Sequence, residues 1–146
     1  MKKIWLILVS CILWACSFHS SQSYTFNVET GDVIKVELNT TDGHTLKQDN
    51  GQFSVEKDEK ELVHGLFLTM DTYHNLYQAT QGPFVKILDS KEDGLIQYYF
   101  YEVMGQRGME RNYLISLGNT GIALASLEDE ATVRECFELL TFTLEK

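Results

Sequence analysis

The chain has 146 residues, of which 44% are hydrophobic and 12% aromatic, a composition that supports one folded domain with an apolar core. Its 12 basic and 21 acidic side chains give a formal net charge of −9. This excess of negative charge repels polyanions, so DNA, RNA and anionic lipid surfaces are excluded as partners.

The first 15 residues have the order of an export signal peptide. Positive charge comes first, in Lys2 and Lys3, and an apolar run of twelve residues, 4–15, follows it. A helix that spans a bilayer needs about 20 apolar residues, so this run is too short for a permanent anchor. We therefore predict a signal peptide over residues 1–15 that is removed from the mature protein.

The end of this run, LWAC, resembles the lipobox of bacterial lipoproteins, in which an obligatory cysteine follows a small residue. The resemblance implies that Cys16 carries diacylglycerol on its thiol and becomes the mature N-terminus. Trp14 is bulkier than the residues usual at its position. A second box, LVSC, matches the pattern better and would place the lipid on Cys11, but the apolar run before it is short. We favour Cys16; an ordinary secretory signal with incidental cysteines is the alternative to both.

Residues 16–23 are predicted to be the lipidated cysteine and a serine-rich tether, and residues 24–146 a single domain. Cleavage before Cys16 would leave 131 residues and remove two lysines but no acidic residue. The 10 basic and 21 acidic side chains that remain give a net charge of −11. Since anionic headgroups would repel such a domain, acyl chains at about 0.8 kcal/mol per buried methylene must attach it to the membrane. The expected location is the extracytoplasmic face of the cell membrane.

Alternating apolar residues and turn sequences predict four strands before the first helix. Asp42-Gly43 and Asn50-Gly51 are expected to form tight hairpin turns. Thr69 is positioned to cap a helix whose apolar residues recur at spacings of three and four. The four strands are DVIKVELNT, HTLKQ, QFSVEK and ELVHGLFL, and the apolar helical residues are Met70, Tyr73, Leu76 and Tyr77.

Four further strands follow the helix, and their short connections allow only antiparallel neighbours. Ser126 and Asp129 resemble a capping box that opens a second helix, after which a last strand ends the chain. Cys136 lies on this helix and is expected to be a buried structural thiol. The four strands are FVKILD, LIQYYFYEV, RNYLISL and GIALAS; the helix is LEDEATVRECFEL and the last strand is LLTFTLE. The order predicts an α+β fold, with an antiparallel sheet of about six to seven strands flanked by two helices.

The ending, from GIALAS to FELLTFTLE, together with the element order, resembles the PsbP-like fold. That fold is known from an extrinsic subunit of photosystem II and from small exported bacterial proteins. The resemblance rests on element order and apolar pattern, so no functional residue is carried over from it. It implies an accessory or binding module and not an enzyme.

The strand QYYFYE carries the candidate binding residues. Because side chains alternate across a strand, Tyr99 and Tyr101 share one face. Aromatic and arginine side chains are enriched in binding hot spots. We therefore predict a patch of Tyr99, Tyr101, Arg107 and Arg111 for another envelope protein, a peptide or a glycan. The alternative is that this strand simply packs in the centre of the sheet.

The sequence holds no short motif for catalysis or cofactor binding, neither a GxSxG element nor a phosphate-binding loop nor a dinucleotide fingerprint. The four histidines lack metal-ligand spacing, so neither a metal site nor a cofactor is expected. The expected function is an accessory or binding module of the cell envelope. The alternatives are a small envelope hydrolase with dispersed catalytic residues and a purely structural envelope lipoprotein. These histidines are His19, His44, His64 and His74.

Overall fold

The computed structural model describes residues 20–146. The predicted signal peptide and both candidate lipidation sites, Cys11 and Cys16, lie outside the described residues. Within that range no helix has the length and apolar character needed to cross a membrane.

The strands are β1 (Ser21–Asn27), β2 (Val33–Asn39), β3 (Thr45–Asp49), β4 (Gln52–Lys57), β5 (Lys60–Leu68), β6 (Val85–Lys91), β7 (Ile96–Gly105), β8 (Gly108–Leu117), β9 (Thr120–Ser126) and β10 (Leu140–Glu145). The helices are α1 (Met70–Thr80) and α2 (Glu130–Leu139).

The strands form two antiparallel sheets. The large sheet has seven strands in the order β3-β4-β5-β9-β8-β7-β6, and the small sheet has three in the order β1-β2-β10. The predicted α+β class, with a seven-stranded antiparallel sheet and two helices, is therefore confirmed. The small sheet is an addition that the sequence-based prediction did not contain.

Strand β1 was missed because its sequence, SQSYTFN, has only one buried side chain, that of Phe26. Its mostly polar, exposed residues give no alternating apolar pattern from which a strand could be predicted. Ser21–Ser23 pair with Glu37–Asn39 of β2. These three residues therefore belong to the small sheet, whereas the sequence pattern predicts them to be part of the tether.

The Asp42-Gly43 turn connects the two sheets and does not form the predicted hairpin. Strand β2 pairs with β1 and β10, whereas β3 pairs with β4. The hairpin prediction is wrong because β2 pairs on one side with β1 and on the other with β10, the last strand of the chain. No edge of β2 is left for β3. Asn50-Gly51, in contrast, is the predicted hairpin turn, and its φ angles of 48° and 76° are those that a type I′ turn requires.

The small sheet and α2 cover one face of the large sheet, which we call the inner face. The side chains between these layers form the main core. Phe53 of β4 contacts Phe142 of β10, with ring centroids 6.0 Å apart, so the two sheets pack directly on each other. Cys136 is fully buried in this core, as predicted, and burial raises the pKa of its thiol to about 11.

Helix α1 packs on the opposite face of the large sheet, which we call the outer face. Thr69 caps the helix as predicted, because its Oγ1 accepts a hydrogen bond from the Thr72 amide at 3.3 Å. The helix crosses strands β5, β9, β8 and β6. A helix is about 10–12 Å wide with its side chains, whereas the ten residues of β7 extend over about 33 Å. Helix α1 therefore covers one end of the strands and leaves the other uncovered.

Helix α2 begins at Glu130, and the predicted capping box between Ser126 and Asp129 does not form. Asp129 is the N-cap, and its Oδ1 accepts a hydrogen bond from the Thr132 amide at 2.8 Å, which lowers the pKa of this carboxyl group. The Ser126 hydroxyl instead donates to the Leu62 carbonyl at 2.5 Å. Ser126 therefore fixes the end of β9 against β5, and the helix starts later than the sequence pattern suggested.

Candidate functional site

The candidate site is the end of the outer face that α1 leaves uncovered, which we call the open end. The registers of the large sheet place His64, Ala125 and Asn112 side by side on this face, on β5, β9 and β8. A cleft of about 540 Å³ opens at this position. The residues that line it include Glu61, His64, Arg107, Glu110, Ala125 and Leu127.

The alternation of side chains along β9 explains why the open end is concave. Ile122 and Leu124 are buried in the main core on the inner face. The residues between and beside them face outward and are small, namely Gly121, Ala123 and Ala125. A Cβ at Gly121 would lie 2.9 Å from the Tyr73 Cβ, so α1 approaches the sheet closely over this end of β9. At the other end, Ala125 has no helix above it and forms part of the cleft lining.

His64 occupies the middle of the open end. Its Nε2 lies 2.7 Å from Oε1 of Gln52, and its Nδ1 lies 3.4 Å from Oε2 of Glu61. Ser54 is the cross-strand neighbour of His64, but the imidazole contacts the glutamine and the glutamate and not the serine hydroxyl. A serine nucleophile needs a base within hydrogen-bond distance. Ser54 and His64 therefore do not form a nucleophile and base pair in this geometry.

Two of the cations at the open end are paired with carboxylates. Lys60 lies 2.6 Å from Glu128, and Lys47 lies 2.5 Å from Glu56, a contact that raises the pKa of Lys47. Arg107, on the turn between β7 and β8, is exposed and makes no ion pair within the described part of the chain. Its guanidinium is therefore available at the rim of the cleft.

The structure divides the predicted patch into two parts. Tyr99 and Tyr101 share the outer face, as the alternation predicts. Arg111 pairs with Glu102 in the register of β7 and β8, which places it on the inner face, where its Nη1 donates to the Glu128 carbonyl at 2.9 Å. Arg111 is therefore separated from the two tyrosines by the sheet itself, and the predicted grouping of all four residues is wrong.

The two tyrosines also differ in their surroundings. The Tyr99 ring lies beneath α1, with its centroid 4.9 Å from that of Tyr77, and its hydroxyl donates to Glu92 at 3.1 Å. Burial, followed by these contacts, raises the pKa of Tyr99. Tyr101 lies at the margin of the α1 contact, next to Asn112 in register. Of the predicted residues, only Tyr101 and Arg107 therefore border the open end.

The geometry of residues 20–146 does not support a metal centre. Over residues 20–146, no group of three or more histidine, cysteine, aspartate or glutamate side chains is arranged to hold a metal ion. At the open end, the His64 imidazole contacts the carboxylate of Glu61 and the side-chain oxygen of Gln52. What these side chains offer a ligand is hydrogen bonds and charge.

Comparison with known proteins gives no match: no protein family, no curated protein and no solved structure resembles this chain significantly. The resemblances to the lipobox and to the PsbP-like fold therefore stay predictions from the sequence.

Proposed function

We propose that this protein is a lipid-anchored binding module of the cell envelope, attached through Cys16 and presenting the open end to a partner outside the cytoplasm. One observation carries the proposal. Inward-facing side chains of the large sheet form the main core with α2 and the small sheet, whereas the outer face has a helix over one end and an open cleft of about 540 Å³ at the other. Concave sites with a few converging polar groups are where ligands usually bind.

The contacts within the cleft support binding and not catalysis. Ser126 uses its hydroxyl to donate to a backbone carbonyl, and His64 contacts Gln52 and Glu61. Neither is part of a nucleophile and base pair. A small envelope hydrolase would need such a pair, or an equivalent set of groups converging on one point. A binding module needs only complementary shape and hydrogen-bonding groups, which the open end provides.

The partner of such a module is another envelope protein, a peptide or a glycan. The net charge of −11 for residues 20–146, which hold 10 basic and 21 acidic side chains, disfavours nucleic acid and anionic lipid as ligands. The lipid anchor would concentrate the domain at the membrane surface. Modest affinity for a partner in the same membrane is then sufficient, because both molecules are confined to one surface.

Filling the cleft is expected to abolish partner capture while the fold is retained. Ala125 is a small residue in the cleft lining, and Ala125→Trp would place an indole in the space that a partner needs. Crosslinking in intact cells, followed by capture through a C-terminal tag, should give at least about tenfold less of the partner than the natural chain does.

The matched control is Ala131→Trp, on the exposed side of α2 and away from the outer face. It should capture the partner as the natural chain does, and both variants should have natural circular dichroism. Equal capture by Ala125→Trp and the natural chain would contradict the proposed binding surface. The absence of any specific partner for the natural chain would favour the purely structural alternative.

A further inference from the structure

The registers of the large sheet define a row of residues across the outer face, next to the residues that α1 covers. The row changes from polar to apolar along its length. Between His64 and Ile87 it crosses four strand spacings of about 4.8 Å, or roughly 19 Å. An α-helix of about 13 residues has this length. The row consists of Lys47, Ser54, His64, Ala125, Asn112, Tyr101 and Ile87.

The floor of this row suits a second helix beside α1. Gly121 and Ala123 already allow α1 to lie close to β9, and Ala125 is the next outward-facing residue of the same strand. At the apolar end of the row Ile87 is 41% exposed. Apolar side chains of a partner would cover this residue, which water now contacts.

Two carboxylates at the open end have no lysine or arginine partner within the described residues. The Glu110 carboxylate has no lysine, arginine or histidine within 4.0 Å in the same range, and Glu61 contacts only His64. Arg107 is exposed and, within residues 20–146, unpaired at the same rim, so the carboxylates of Glu61 and Glu110 leave a surplus of one negative charge there.

From this combination we infer that the open end binds a basic amphipathic helix of a partner protein. The helix lies beside α1, with its apolar side over Ala125 and Tyr101 and its lysine or arginine side chains towards Glu61 and Glu110. Binding of an amphipathic helix in a groove is a common mode of peptide recognition. The net charge of −11 would attract such a segment over long range. The inference rests on the proposed function and names its class of partner.

The test uses the full-length chain in nanodiscs of phosphatidylcholine and a fluorescent synthetic peptide. The peptide has about 14 residues, with leucine on one helical side and lysine on the other. We expect saturable binding by fluorescence anisotropy, and none for a peptide in which every lysine is replaced by glutamate. Equal signal from empty nanodiscs, or equal binding of the glutamate peptide, would overturn the inference.

Charge reversal separates the open end from the charge of the whole domain. Glu61→Lys with Glu110→Lys should weaken peptide binding by about tenfold or more. The control is Glu29→Lys with Glu145→Lys, two exposed positions next to or on the small sheet, which changes the net charge equally. It should weaken binding by less than about twofold. Equal effects of the two double variants would refute a local site. If the peptide does not bind while Ala125→Trp still prevents partner capture, the helix inference fails and the proposed function stands.

Discussion

Replacement of Gly65 by valine is expected to lower the free energy of unfolding by about 3 kcal/mol. Gly65 is the cross-strand neighbour of Phe53, and a Cβ at Gly65 would lie 2.2 Å from the Phe53 ring. The ring cannot move away, because Phe26, Phe67 and Phe142 surround it with centroid distances of 5.6 to 6.0 Å. Urea unfolding of the natural chain and the variant gives this difference directly.

A double-mutant cycle tests the cause of that loss. Phe53→Leu frees space above Gly65, so the combination with Gly65→Val should cost at least about 1 kcal/mol less than the sum of the two single changes. Additive effects would show that the ring contact is not the source of the instability. Valine has a higher intrinsic preference for strands than glycine, and this preference would raise the free energy of unfolding. A measured decrease therefore cannot result from strand preference.

Tyr113→Ala should destabilise the protein by about 4 kcal/mol, because it removes the centre of a stack of aromatic rings. The Tyr113 ring stacks on Phe100 at 4.2 Å and on Phe137 of α2 at 3.9 Å between centroids. The Arg134 guanidinium lies 4.7 Å from the centroid of Phe100 and adds a cation–π contact. The stack connects α2 to the inner face. Loss of the stack should therefore lower both the melting temperature and the free energy of unfolding in urea.

Tyr113→Phe is the matched control, because it keeps the ring and removes the hydroxyl. It should change the stability near neutral pH by less than about 1 kcal/mol. Burial raises the pKa of Tyr113 above its usual 10.0, so the folded state favours the neutral phenol. The stability that the folded state gains from this preference is complete below about pH 10 and is lost as the pH rises further. The phenylalanine variant should consequently lose less stability between about pH 9 and pH 11 than the natural chain. A loss by Tyr113→Phe as large as that by Tyr113→Ala would contradict the stacking account.

Much of the fold could be predicted from the sequence because its signals are local. The strands of the second half alternate apolar and polar residues between turns of two to four residues, and Thr69 is a typical N-cap. The small sheet could not be predicted in this way. Strand β2 carries a clear alternating pattern, but its neighbour β10 lies about a hundred residues further along the chain. Nothing in the local sequence of β2 identifies that partner.

The site could be predicted only in part, for a similar reason. Alternation correctly placed Tyr99 and Tyr101 on one face, but it did not show that α1 covers Tyr99. The wrong grouping of Arg111 with the two tyrosines could have been avoided, because the hairpin register pairs Gly105 with Gly108 and hence Glu102 with Arg111. The small outward residues of GIALAS were a further available indication of a close approach or a cleft. The importance of His64 depends on contacts between strands that the sequence does not reveal.

The central claim is that a lipid on Cys16 holds this acidic domain outside the cytoplasm, since the open end can meet an envelope partner only there. Mass spectrometry of the N-terminal peptide of the protein isolated from its own cells tests this claim most directly. We predict a peptide that begins at Cys16 and carries diacylglycerol on the cysteine sulfur; the same modification on a peptide beginning at Cys11 would move the anchor but keep the claim. An unmodified chain that still begins at Met1 and is recovered from the cytoplasm would contradict it.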